Sequence, residues 1–246
     1  MKILAIDTST MLGGVAIMDD SIGLVAEMRL NVKSTHSERL MISIDSLLKQ
    51  SGYAIADMDC FAVAIGPGSF TGLRIGLSTV KGFSYATGNP IVSVPTLEAL
   101  ANNFPFCQYP VCTLLDARKK EVYAAMFKWK DDGFVRLIDE LSIKISDLLE
   151  RIEAKGKQQG FSHTNIIFTG DGALLYKDKI INHMGEEAIF APSEKMVPSP
   201  ANVALIGIKK ALNAEFSEPI NLVPFYIRKS EAELKRTGSN PHAGSG

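Results

Sequence analysis

A short apolar run, an aspartate, a polar turn and a second apolar run occur in that order twice in this chain, and a chain that repeats its element order has few folds open to it. Ile3-Leu4-Ala5-Ile6 ends in Asp7-Thr8-Ser9-Thr10, and Gly13-Gly14 leads into Val15-Ala16-Ile17-Met18. Val111-Cys112-Thr113-Leu114-Leu115 ends in Asp116-Ala117-Arg118, and Glu121-Val122-Tyr123-Ala124-Ala125-Met126-Phe127 follows. Asp116 stands 109 positions after Asp7 (116 − 7). In each half a third strand comes next, at residues 22–30 and 134–138, and then a helix, at residues 36–50 and 145–153, the second with Ser146 near its start. Two further apolar runs enter Gly66-Pro67-Gly68 and Gly170-Asp171-Gly172, 104 positions apart (170 − 66). Two copies of a three-strand meander, helix, strand, glycine turn and helix imply two stacked lobes with a cleft between them, in preference to one Rossmann sheet. The expectation is an α/β chain of two βββαβα lobes, residues 1–104 and 105–228. The boundary falls in the aperiodic, proline-bearing stretch 102–110, and residues 229–246 form a frayed, disordered tail.

Within the first half, Gly66-Pro67-Gly68-Ser69-Phe70-Thr71-Gly72-Leu73-Arg74-Ile75-Gly76 reads as a strand-to-helix turn. Ser69 or Thr71 caps a helix that begins near Leu73. Gly72 and Gly76 fall on one helical face, and each interior glycine costs about 0.8–1.0 kcal/mol relative to alanine. A helix that keeps them packs backbone against backbone, either within the chain or against a partner. The stretch is not a Walker loop, because no lysine follows Gly72, and its glycines miss the dinucleotide spacing. Thr35-His36-Ser37-Glu38 matches a capping box that starts the preceding helix. Leu40, Met41, Ile44, Leu47 and Leu48 then form one apolar stripe, with Gly52 placed to end it.

Chemistry is sparse elsewhere. Lys and Arg number 26 against 27 Asp and Glu, so the chain lacks the electrostatic footprint of a protein that grips nucleic acid unaided. Cys60, Cys107 and Cys112 have no Cys-x-x-Cys spacing and read as free thiols in a reducing, cytoplasmic compartment. No apolar run reaches the roughly 18 residues of a membrane span. The four histidines, His36, His163, His183 and His242, offer no pair at metal-ligand spacing. Residues 156–160, rich in Lys and Gln, read as a solvated loop. Asp7 reads two ways: as a carboxylate that could hold a metal-bound phosphate, or as a turn former bonding the backbone two residues on.

Together with His36-Ser37-Glu38, Leu97-Glu98-Ala99-Leu100, Asp116-Ala117-Arg118, Gly170-Asp171-Gly172 and Pro224-Phe225-Tyr226-Ile227-Arg228, the glycine-rich stretch resembles the TsaB family over about residues 1–228. The resemblance implies a duplicated actin-like, ribonuclease-H-like fold. It also implies a non-catalytic subunit that pairs with its catalytic paralogue TsaD, is joined by the small ATPase TsaE, and forms homodimers when alone. That assembly moves a threonylcarbamoyl group from its adenylate to the tRNA adenosine next to the anticodon, and this subunit meets tRNA only through the complex. The family's pairing surface matches helices 36–50 and 71–87, here His36, Arg39, Leu40, Ile44, Leu47, Thr71, Gly72, Arg74, Ile75, Gly76, Thr79, Val80 and Phe83. Asp7, Thr8, Ser9 and Asp116 mark a vestigial phosphate turn. No catalytic residue, cofactor or metal is implied, because the His-x-x-x-His ligands of the catalytic relatives are missing. The alternative is a stand-alone actin-like ATPase or small-molecule kinase working from Asp7 and the Gly170-Asp171-Gly172 turn. A metallopeptidase would need the absent ligands.

Overall fold

The computed structural model describes residues 1–31, 36–160 and 164–227. Strands β1 (Lys2–Asp7), β2 (Leu12–Asp19) and β3 (Gly23–Asn31) form an antiparallel meander in which Ile3 pairs with Met18 and Asp7 with Gly14. Helix α1 (His36–Ser51) leads to β4 (Cys60–Gly66), which lies parallel to β1. Helix α2 (Phe70–Thr87) leads to β5 (Ile91–Pro95), parallel to β4, and α3 (Thr96–Ala101) follows. The second half repeats the plan with β6 (Val111–Asp116), β7 (Glu121–Lys130), β8 (Gly133–Lys144), α4 (Ile145–Gln159) and β9 (Ile166–Thr169). It continues with α5 (Asp171–Leu175), α6 (Lys177–Met184), β10 (Ala188–Phe190) and α7 (Pro200–Leu212). The sheet orders, β3-β2-β1-β4-β5 and β10-β9-β6-β7-β8, are the same order run in opposite directions. This is the duplicated actin-like architecture.

The central strands are apolar throughout because both of their faces are covered. Leu4 and Ile6 of β1 point to Leu40, Ile44 and Leu47 of α1 and to Leu77 and Val80 of α2. Ile3 and Ala5 point the other way, to Val203, Ala204 and Ile206 of α7. In the second sheet Cys112 and Leu114 meet Leu148, Leu149 and Ile152 of α4, while Val111 and Leu115 meet Leu97 and Leu100 of α3. The last helix of each half therefore lies on the sheet of the other half. Gly207 lets α7 approach closely, since a Cβ there would stand 2.7 Å from that of Ala62. Asn202 of α7 donates through Nδ2 to the Ala99 carbonyl (3.0 Å) and to Asn103 Oδ1 (2.8 Å), tying the two exchanged helices together.

Several boundaries differ from those expected. Ser69 is the N-cap of α2, accepting from the Gly72 amide at 3.3 Å, so the helix begins at Phe70 and Thr71 lies in its first turn. Helix α4 runs through the lysine- and glutamine-rich residues read as a loop and ends at Gly160 (φ 72°). Gly156 is buried one turn beyond Ile152, so the apolar face continues and the polar residues are only its outer side. Ser146 does not start this helix: Lys144 occupies the cap position, and the Ser146 hydroxyl bonds Asp147 (2.7 Å). Strand β8 extends to Lys144, well past residue 138, and β10 was not anticipated. The cap expected at Thr35, His163 and the tail beyond residue 227 lie outside the described residues. Cys60 and Cys112 are buried, and burial pushes both thiols up to about 12; Cys107 is partly buried.

Candidate functional site

Three parts of the molecule bear on function: the turn that carries Asp7, the cleft between the lobes and the outer surface of α1 and α2. The Asp7 turn is built from backbone contacts. Asp7 Oδ1 accepts from the Ser9 amide (2.8 Å) and the Ser9 hydroxyl (2.6 Å), which is the turn-forming bond two residues on. The Thr8 hydroxyl donates to the Gly72 carbonyl (2.7 Å), and the Ser69 amide donates to the Ser9 carbonyl (2.6 Å). A Cβ on Gly72 would fall on the Thr8 carbonyl oxygen, and one on Gly76 would stand 2.5 Å from Thr8 Oγ1. Gly72 and Gly76 thus admit the chain's own first turn. Of the two packings left open for Gly72 and Gly76, the one within the chain is the one present.

The second half repeats the device. Asp116 Oδ1 accepts from the Arg118 amide (2.9 Å), two residues on as in the first half, and Oδ2 pairs with the Arg118 guanidinium (3.3 Å). Gly66 and Gly170 share a left-handed φ, 117° and 104°, and at both a side chain would collide with backbone. Beyond Asp116 the halves part. Arg118, Lys119 and Lys120 take φ of 62°, 52° and 64°, three consecutive non-glycine residues in a region that costs about 1–2 kcal/mol per residue. The Glu121 amide closes this turn on the Arg118 carbonyl (3.0 Å).

Between the lobes lies a cleft of about 410 Å³, with Thr10, Leu12 and Arg29 on one side and Leu115, Asp171 and Met196 on the other. Asp171 accepts from the Asp116 amide (2.9 Å). Protein atoms crowded around its carboxyl push its pKa above the ordinary value, and the neighbouring Asp116 carboxylate adds to the rise; the amides of Asp116 and Gly172 pull the other way. Asp7 is buried below the first lobe's turn, so the cleft does not bring Asp7 and Asp171 into one lining.

The residues expected at a pairing surface divide between two sides of their helices. Leu40, Ile44, Leu47 and Val80 are buried in the first lobe's own core and face the sheet. Ile75, Thr79 and Phe83 are half-buried, and Thr79 Oγ1 donates to the Ile75 carbonyl (2.9 Å). Arg39, Thr71 and Arg74 are exposed, while His36 opens α1. Of the outward apolar residues, Met41 belongs to the expected stripe, whereas Ile42 and Tyr85 lie off it. Met41 is 50% exposed, Ile42 69% and Tyr85 95%. Ile42 could have been found as the isoleucine lying off the stripe. Arg74 lies over the Phe70 ring (3.9 Å) and donates through Nε to the Tyr226 hydroxyl (3.1 Å), and the rings of Phe70 and Tyr226 stack at 5.1 Å. The chain's last described segment is thereby fastened to the head of α2.

A family model described as TsaD, tRNA N6-adenosine threonylcarbamoyltransferase, matches residues 25–236. The chain is 31% identical over 235 residues to the tRNA threonylcarbamoyladenosine biosynthesis protein TsaB of Bacillus subtilis, covering 96% of this chain and 97% of that one. It is 33% identical over 243 residues to the protein of the same name from Escherichia coli, covering 97% and 99%. A crystal structure of an uncharacterized Pseudomonas aeruginosa protein with similarity to peptidase YEAZ superimposes with a TM-score of 0.77 at 23% identity, covering 92% and 99%, a likeness of fold. Near-full-length identity above 30% to two such proteins places this chain in the TsaB family.

Proposed function

We propose that this chain acts in tRNA threonylcarbamoyladenosine biosynthesis as the non-catalytic partner of the subunit that transfers the threonylcarbamoyl group to the adenosine next to the anticodon. It pairs with TsaD, is joined by TsaE, forms a homodimer when alone, and meets tRNA through the complex in the cytoplasm. Its two lobes are residues 1–104 and 105–228. The names of its relatives support the pathway. The observation that carries the pairing role is the outer side of α1 and α2, where Met41, Ile42 and Tyr85 hold apolar surface in water on two helices packed on the same face of one sheet. Such surface on a folded chain is stabilised by being covered. The pairing residues are accordingly Arg39, Met41, Ile42, Thr71, Arg74, Phe83 and Tyr85, with Leu40, Ile44, Leu47, Gly72, Gly76 and Val80 supporting the helices from beneath.

Reconstitution tests this reading. TsaD and TsaE of the same organism, supplied with threonylcarbamoyl adenylate and unmodified tRNA, should form the modified nucleoside when this chain is added, and the chain alone should form none. Modification at the full rate without the chain, or by the chain alone, would contradict the role.

A further inference from the structure

We propose that the second lobe carries a binding site for phosphate groups in the cavity between the β6–β7 turn, the start of α4 and α6. The cavity measures about 520 Å³, and its polar lining is Lys120, Lys144, Ser146, Lys179, Asn182 and His183. Three lysines line it from three separate elements: Lys120 from the left-handed turn, Lys144 from the end of β8 and Lys179 from α6. Among the described residues none of these lysines has an ion-pair partner. Of the neighbouring acids, Glu121 Oε2 accepts from the Ser142 hydroxyl (2.9 Å), and Glu153 borders the cavity through its pair with the lining residue His183 at Nε2 (2.9 Å). Glu121 stands opposite Lys144 in the β7–β8 register and the Lys179 ammonium lies over the Tyr176 ring (5.6 Å), so the three like charges around this concavity are offset only in part, and an anion seated among them gains from all three.

The donor set selects the ligand. Lysine ammonium groups, a serine hydroxyl and an amide nitrogen all donate, and the lining has no carboxylate to hold a cation. A tetrahedral group with several charged oxygens can accept from three directions at once, whereas a planar carboxylate presents only two oxygens. Ile145 and Leu149 provide an apolar floor. This site shares no residue with the cleft or with the outer side of α1 and α2, so it stands or falls separately from the pairing role. Its phosphate could belong to a free phosphate ester or to the backbone of RNA, and two probes separate these sources.

The full chain is titrated with inorganic pyrophosphate by calorimetry and with a fluorescein-labelled RNA hairpin by anisotropy. Saturable binding of pyrophosphate at one site, weakened about tenfold or more in the double variant Lys144→Gln, Lys179→Gln, supports the site for free phosphate esters. Binding of the hairpin alone, weakened by the same variant, supports it for RNA. Lys179→Arg, which keeps the charge, should retain most of the affinity. Lys49→Gln, on α1 and paired with Asp45, should change nothing. Unfolding midpoints equal to the parent's show that the variants fold. No saturation with either probe, or parental affinity in the folded double variant, overturns the proposal.

Discussion

Ile42 and Ile44 stand two residues apart on α1, about 200° around the helix, and the structure sends one outward and the other into the core. Ile44 is 2% exposed among Leu4, Ile6, Leu77 and Val80, whereas Ile42 is 69% exposed. Truncating a buried isoleucine to alanine costs about 2–5 kcal/mol, combining lost transfer energy with the cavity left behind. In a protein of this size each kcal/mol moves the unfolding midpoint by about 2–4 °C, so Ile44→Ala should lower it by about 4–20 °C. Ile42→Ala removes the same atoms from a position that is already wet and should cost at most about 0.5 kcal/mol, or about 2 °C. Thermal unfolding followed by circular dichroism, with both variants at one dilute concentration, reads the difference. Equal losses for the two variants, or a larger loss for Ile42→Ala, would mean that α1 presents a different face to the sheet and that the assignment of its outer side is wrong.

Two other outcomes follow from the site geometry. Gly76→Val should destabilise the isolated chain, because its Cβ would crowd Thr8 Oγ1; a variant that melts with the parent yet fails to pair would show instead that Gly76 faces a partner. Asp171 has a folded pKa above its ordinary 3.8, so the folded state retains a proton that the unfolded state has released, and stability falls as pH rises through that window. Asp171→Asn should therefore be more stable than the parent at pH 7, with the difference shrinking as pH drops toward 3.8; urea unfolding at several pH values checks this, and a difference independent of pH would refute it.

Much of the fold is legible in the chain because duplication leaves its mark on element order even where residues diverge. Ile3 to Ile6 and Val111 to Leu115 must be buried on both faces, and only strands inside a covered sheet satisfy runs of that length and composition. The exchange of α3 and α7 between the sheets left no such mark, since an apolar helix reads the same whichever sheet it covers. The end of α4 was hidden by its exposed lysines and glutamines, which outweigh the single buried Gly156. Spacing leaves Asp7 open between a phosphate-holding carboxylate and a turn former, and the matching bonds that Asp7 and Asp116 make two residues on are those of a turn former. The proposed pairing surface was the least legible part. Spacing along α1 and α2 identifies an apolar stripe, but a stripe is first the side a helix turns to its own core, and Ile42 and Tyr85 stood outside it. Gly72 and Gly76 mark a close approach without saying what approaches, and here Gly72 meets the backbone of Thr8 and Gly76 its hydroxyl.

The central claim, that the outer side of α1 and α2 is where TsaD docks, is tested most directly by the double variant Ile42→Asp, Tyr85→Asp mixed with TsaD and passed over a sizing column with light scattering. Both side chains are exposed, so the variant should melt with the parent, and the account predicts separate TsaD and variant peaks where the parent gives a joint one. A joint peak of unchanged mass and stability from the folded variant would contradict it.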